Sequence, residues 1–172
     1  MSTPADTAPN ATREQIEKLN DLIKDINMAM LVTAQPDGTL RSRPMATQAA
    51  GPDGHLWFFT SITSGKVHEI ENDQNVNVSY AEPDDNRYVS VSGTARIVRD
   101  AQKIHELWNP MLKAWFPKGK DDPSIALIRV TTTSAEYWDA PNGTMVQLYG
   151  YIKSALTGKS PTDIGEHGTL RL

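Results

Sequence analysis

The sequence predicts a mainly β, α+β fold: an antiparallel barrel of about six strands, with helices set between its hairpins. Three observations carry that expectation. Apolar and polar residues alternate in several runs, most clearly "NVNVSYA" and "RYVSVSGTARIV". Short turn sequences, "QPDG", "GPDG" and "EPDDN", separate successive runs. Helical periodicity is confined to isolated segments, which disfavours the strict strand-helix alternation of a doubly wound parallel sheet.

The elements follow in order. Thr12 and Gln15 have capping-box spacing, and Ile16, Leu19, Leu22, Ile23 and Ile26 then form one apolar face, predicting a first helix over 13–26. "MAMLVTAQPDGTLRSRPMATQAA" has strand composition broken by "QPDG" and predicts a hairpin. After "GPDG", the aromatic run "HLWFFT" suits a well-buried strand. Val67 and Ile70 anchor a short helix that ends before "NDQN". "NVNVSYA" and "RYVSVSGTARIV" make another antiparallel pair across "EPDDN". Asp100 caps a helix carrying Ile104, Leu107, Trp108, Met111, Leu112 and Trp115, which Pro110 kinks or divides. "PKGKDDPS" is a loop, "IALIRVTTTSAEYWD" a long strand or a strand pair, and "GTMVQLYGYIKSAL" a closing helix.

A chain of 172 residues is one domain by length, large enough to bury about two thirds of its unfolded surface. The expected domain is 12–156, between flexible tails at 1–11 and 157–172. With no cysteine, the chain has no disulfide, no thiolate ligand and no thiol nucleophile, which fits a reducing cytosol. A formal charge of -4 without a basic stripe argues against nucleic acid as a partner. The start "MSTPADTAPNATREQ" lacks a positive n-region and an apolar h-region, and no apolar run is long enough for a transmembrane helix. The expectation is a cytoplasmic protein with no membrane partner.

The chemistry centres on "FFTSITSGKVHEI", residues 58–70. A lysine beside backbone donors at a helix start suits a phosphate. Compared with the nucleotide-triphosphate loop G-x-x-x-x-G-K-[ST], Thr60 stands at the first glycine and Val67 at the metal-binding hydroxyl, so that loop is disfavoured. The four histidines match no zinc pattern, and Ser64 lies in no nucleophile motif. What survives is Lys66 with Ser64, and the cationic strand carrying Arg41 and Arg43. If that strand neighbours "WFFTS", alternation sends one arginine toward Lys66, where two cations and hydroxyls suit a phosphomonoester. Solvated charges on an exposed strand and a helix edge are the alternative reading.

At these residues the sequence resembles the pyridoxamine 5'-phosphate oxidase-like flavin proteins, and among them the bacterial general stress protein branch. The resemblance covers about residues 12–155, through "MLVTAQPDGTLRSRPM", "LWFFTSITSGK", "NVNVSYA", "RYVSVSGTARIV", "HELWNPMLKAWFP" and "AEYWDAP" in that order. It implies a split β-barrel and a homodimer with FMN, or FAD, in a cleft between two barrels. It also implies that Arg43 reaches the phosphate while Pro44, Met45, Ala46 and Thr47 run along the ring system. Thr60 and Ser61 offer a hydroxyl and amides, and Ser64 and Lys66 form the phosphate-binding turn. Trp138 stands where the branch places a tryptophan near the flavin, contributed by the opposite subunit; core packing at a strand end is its other reading. Trp57, Trp108 and Trp115 are expected instead in the core or, for the last two, at the dimer contact.

The departures narrow the function. The oxidases have a lysine where this chain has Gln48, and their closing arginine-leucine-proline signature is replaced by "GTLRL" around Arg171. "SGK" also stands for their serine-arginine-lysine, leaving Arg43 and Lys66 to carry the phosphate. Vitamin B6 oxidation is therefore not expected. Three functions remain: an FMN-dependent oxidoreductase using a nicotinamide donor, with no required acid or base in the sequence; a non-catalytic flavin-sequestering or sensing protein; and a split barrel that has lost its flavin and serves only as an interaction module.

Overall fold

The structure, a computed structural model, describes residues 12–48, 50–140 and 166–172. Helix α1 spans Arg13–Ile23. Its capping box forms: the Gln15 amide donates to Thr12 Oγ1 (3.3 Å), and the Thr12 amide donates to Gln15 Oε1 (2.9 Å). The helix ends at Ile23, three residues inside the predicted end, with Lys24 as its C-cap. Leu19, Leu22 and Ile23 bury its apolar stripe against the sheet.

The strands are β1 (Met28–Ala34), β2 (Leu40–Ala46), β3 (Leu56–Ser61), β4 (Asn75–Glu82), β5 (Arg87–Val98), β6 (Ile125–Asp139) and β7 (Glu166–Arg171). Helix α2 (Gly65–Asn72) links β3 to β4, and α3 (Ala101–Leu107) follows β5. All the pairings are antiparallel, in the order β2-β1-β4-β5-β6-β3, with β7 added beside β6. The hairpins are those predicted, β1–β2 and β4–β5, and "IALIRVTTTSAEYWD" is one continuous strand.

The described residues hold seven strands against the six expected. The additional strand, β7, lies inside the segment expected as a C-terminal tail. A six-residue run beginning with Glu, His and Gly has little strand propensity of its own, and pairing with the long edge of β6 supplies what propensity does not. The expected N-terminal tail and closing helix lie outside the described residues. Pro110 divides its segment as predicted: α3 ends at Leu107, and a 3-10 turn occupies Pro110–Ala114. Asp100 Oδ1 caps α3 by accepting from the amides of Gln102 (2.9 Å) and Lys103 (3.2 Å).

Two apolar clusters hold the fold. One fills the barrel with Leu31, Val78, Val91, Val130, Leu56 and Phe58 beneath α1. The other packs Trp57, Phe59 and Leu127 against Ile104, Leu112 and Phe116. Consequently β3 is buried on both faces, which explains its unbroken aromatic-aliphatic run. The strand's helical cover also shields a sheet edge.

The sheet curls where β5 and β6 slip register between Ser92 and Gly93. At Gly93 an added Cβ would lie 2.2 Å from the Thr131 carbonyl oxygen, so only glycine fits. Gly93→Ala is expected to destabilise the chain by about 2–3 kcal/mol through overpacking against backbone. Urea denaturation checks this; a loss within error of zero would show that β5 and β6 separate easily at the bulge.

Candidate functional site

The strand order leaves β2 and β3 as unpaired edges that face each other across an opening in the barrel. Pro44 belongs on such an edge, because it brings no amide donor to a ladder. An opening between edges also leaves backbone donors and acceptors available to a ligand. A cleft of about 290 Å³ lies there, lined by Pro44, Met45 and Ala46 from β2, Phe59, Thr60 and Ser61 from β3, Ser64 and Lys66, and Leu112, Trp115 and Phe116.

The polar end of this cleft is the start of α2. Ser64 is the N-cap residue, yet its hydroxyl makes no capping bond; instead it accepts from Lys66 Nζ at 2.9 Å. Lys66 Nζ also donates to Thr60 Oγ1 at 3.2 Å, tying the helix start to the end of β3. Burial holds the Lys66 ammonium below the ordinary lysine range, and the Arg43 charge lowers it further; Glu69 opposes both. The result is a half-buried cation at a helix N-terminus, beside two hydroxyls.

Behind Lys66 lies a buried polar plug. Arg41 and Arg43 alternate with Ser42 and Pro44 on β2, so both arginines share the inward face with buried Met45. Arg43 Nη1 donates to Thr33 Oγ1 (2.7 Å), and its Nη2 donates to Glu69 Oε2 (2.5 Å). Thr33 Oγ1 donates to the same carboxylate oxygen (2.5 Å). Arg41 Nη1 stands 3.8 Å from Glu69 Oε1. Burial alone would raise the Glu69 pKa, but the hydrogen bonds from Thr33 and Arg43 and the two guanidinium charges outweigh it and hold the carboxyl below its ordinary value.

The model of the family "Pyridoxamine 5'-phosphate oxidase like" matches residues 14–162. This chain belongs to the pyridoxamine 5'-phosphate oxidase-like family. It is 30% identical over 135 residues to General stress protein 26 of Bacillus subtilis (strain 168), a match spanning 77% of this chain and 94% of the relative. A crystal structure named for general stress protein 26, from Jannaschia sp. CCS1, is 26% identical with a TM-score of 0.74, covering 94% of this chain and all of the other (100%). The crystal structure of the general stress FMN/FAD binding protein from Xanthomonas citri is 30% identical with a TM-score of 0.65, covering 77% of this chain and 93% of that one. The open antiparallel sheet is thus the split barrel of the pyridoxamine 5'-phosphate oxidase-like fold.

Of the residues singled out from sequence, Pro44, Met45, Ala46, Thr60, Ser61, Ser64 and Lys66 meet at the one cleft. Arg43 stands behind it, close enough to lower the Lys66 pKa but with Nη1 and Nη2 engaged by Thr33 and Glu69. Thr47 turns away: its Oγ1 donates to the Ile26 carbonyl at 2.5 Å, fastening the end of β2 to the chain after α1. Trp138 lies thirteen residues up β6 from Ile125, which pairs with Ser61 at the cleft, a distance on the order of 40 Å along the strand. There it is half-exposed and stacks on His167 with ring centroids 5.2 Å apart.

Trp115 lies outside the core, the first of the two places expected for it. Its spacing from Trp108 predicts one helical stripe in the core or at a dimer contact, and the helix that this spacing assumes stops at Leu107, before a 3-10 turn at Pro110–Ala114. Trp108 packs edge-on against Phe59 at 5.9 Å, whereas Trp115 is exposed and lines the cleft. Glu69 and Thr33 were not legible as site residues. The available signal was Glu69 three residues after Lys66, on the same helix face.

The pH dependence of stability follows from the lowered Glu69 pKa. Its contribution is complete above the unfolded-state value of about 4.3 and is withdrawn as pH falls through the lower folded-state value. Acid unfolding of the wild type and Glu69→Gln, followed by circular dichroism, should therefore give curves that differ near neutrality and converge in strong acid. Parallel curves down to the lowest pH would contradict this.

Proposed function

We propose that the chain is a flavin-binding general stress protein that holds FMN, and accommodates FAD, in the cleft at the split of the barrel. The observation that carries this reading is the half-buried Lys66 ammonium at the start of α2, in a cleft walled by two unpaired strand edges. The donor set fits a phosphorylated flavin. Lys66, the Ser64 hydroxyl and the amides at the α2 start suit a phosphate. The β2 edge at Pro44–Ala46 offers backbone to the polar rim of a ring system, and Phe59, Leu112, Trp115 and Phe116 offer an apolar wall.

In this reading Lys66 and Arg43 hold the terminal phosphate. Thr60 keeps Lys66 aimed along the cleft, and Ser61 supports the turn by accepting the Ser64 amide at its carbonyl (3.0 Å). A bound flavin supplies hydride or electron transfer, and the protein's contribution is position and exclusion of water. Lys66 is the only ionisable residue lining the cleft among the described residues, so the walls offer no carboxylate or imidazole for proton transfer. That composition also favours a second reading, in which the protein sequesters or senses flavin without turnover. Reduction of the bound flavin by NADH or NADPH, with turnover on an added acceptor, supports the oxidoreductase; a flavin that neither nicotinamide reduces supports the second.

A homodimer belongs to the same proposal. The cleft is at the small end of the range of roughly 300–1,000 Å³ for small-ligand sites, so a second chain has room to complete it. Trp138 does not line the cleft of its own chain and is half-exposed, so in this reading its place beside a flavin is the partner's cleft. A cytoplasmic location fits the absence of cysteine, and no helix among the described residues is long and apolar enough to cross a membrane.

Purified protein should be yellow, with a cofactor that extraction and mass measurement identify as FMN or FAD. Lys66→Ala and Arg43→Ala should each weaken retention about ten-fold or more, since a charge-assisted contact contributes about 1.5–3 kcal/mol. Dialysis followed by visible absorbance reads this, and tight, full occupancy in both variants would overturn the phosphate assignment. Because the Lys66 pKa is lowered, the ammonium loses its proton earlier on the alkaline side than an ordinary lysine. FMN affinity should accordingly fall as pH rises through that lowered value, and Lys66→Arg should remove the fall.

A further inference from the structure

We infer that Glu69 is a positioning residue, a buried counter-ion that holds the Arg43 guanidinium beside Lys66 so that both can grip one phosphate dianion. This rests on the phosphate-site reading above and assigns it a residue that touches neither the cleft nor a ligand.

The problem it answers is electrostatic. Arg41, Arg43 and Lys66 are gathered within one small region, and the two arginines both act to deprotonate Lys66. Left alone, a long side chain on an edge strand would swing toward water and away from the other cations. Glu69 prevents this. Its side chain is 9% exposed and that of Arg43 is 13% exposed, so the pair is shielded from the screening that weakens surface ion pairs. Thr33 occupies the remaining space between them and bonds to both.

Placement along the chain makes the device work. Glu69 follows Lys66 by three residues on α2, so the helix that presents the phosphate-binding lysine also presents the anchor for the arginine. Thr33 and Arg41 are direct cross-strand partners, and Arg43 is one alternation further on the same face. Arg43 carries five N–H donors, and the contacts to Thr33 and Glu69 leave others for a ligand. The local charge, three cations against one carboxylate, is then matched to a doubly charged phosphomonoester.

The test separates position from simple charge. Glu69→Gln keeps the shape and removes the charge. If Glu69 contributed only its negative charge, its loss would tighten binding of any anion. If it positions Arg43, FMN affinity should instead fall about ten-fold, with riboflavin, which lacks the phosphate, unchanged. The fall should vanish when the same substitution is made in an Arg43→Gln background. Flavin fluorescence titration reads both ligands, and thermal unfolding confirms that each variant is folded. Tighter or unchanged FMN binding, an equal loss for riboflavin, or persistence of the effect without Arg43 would overturn the inference. Titration with inorganic phosphate keeps the two proposals apart. Phosphate binding that depends on Arg43 and Glu69, without flavin binding, would sink the flavin reading and leave this one standing. A chain that binds neither FMN nor phosphate would sink both.

Discussion

A carboxylate buried between two strands and a helix is the constraint on which the functional end of this fold depends. Glu69 belongs to α2, Thr33 to β1 and Arg43 to β2, and the three meet through hydrogen bonds of 2.5–2.7 Å. Removing any one member would strand a polar or charged group in a place with little water, at a cost of several kcal/mol where a charge is left. Replacing all three with well-packed apolar groups would not carry that cost. Stability alone therefore does not call for such a triad. What the triad does provide is a fixed position for α2, and hence for Lys66 and Ser64, relative to the edge strand that carries Arg43.

The second constraint is topological. Following the hydrogen bonds from β2 through β1, β4, β5 and β6 to β3 returns the sheet almost to its starting point without joining the ends. Closure would have removed the edges and the site with them. Pro44 removes one ladder amide from β2, and on β3 Trp57 and Phe59 pack against Ile104, Leu112 and Phe116, which covers one face of that strand. The unjoined ends leave backbone groups and hydroxyls facing a space of small-ligand size. Fold and site share one cause.

Much of this is legible in the sequence where local rules act. Turn residues place the hairpins, the Thr12–Gln15 capping box starts α1, and Pro110 ends α3. The alternating pattern of β4 and β5 identifies their buried faces. Where pairing partners decide, the sequence is mute. The run Glu166–Arg171 becomes a strand because β6 extends beyond β3 and has room for another neighbour, a fact about the length of a different element. The same holds for the site. Lys66 and Ser64 sit in one short motif and can be found there, and the family resemblance adds the β2 segment. Thr33 and Glu69 are 36 residues apart and meet only because strand register and helix packing bring them together. Trp115 leaves the core for a related reason: helical spacing predicts its neighbour only while the helix continues, and Pro110 interrupts it.

The electrostatic arrangement links these levels. A lysine whose pKa is lowered by burial is a costly cation, and a ligand dianion would relieve that cost by giving it a partner in a region of low dielectric. Glu69 already relieves part of it, by opposing the effect of the two arginines on Lys66. Had the carboxylate been placed in the cleft itself, it would compete with a phosphate for the same donors. Its location one helical turn behind Lys66, on the inner side of Arg43, instead supports the cations from the rear and leaves the open side positive. For an anion bound at this end, such a site would be preorganised: Glu69 holds the Arg43 guanidinium and two hydroxyls hold Lys66, so binding would require little rearrangement.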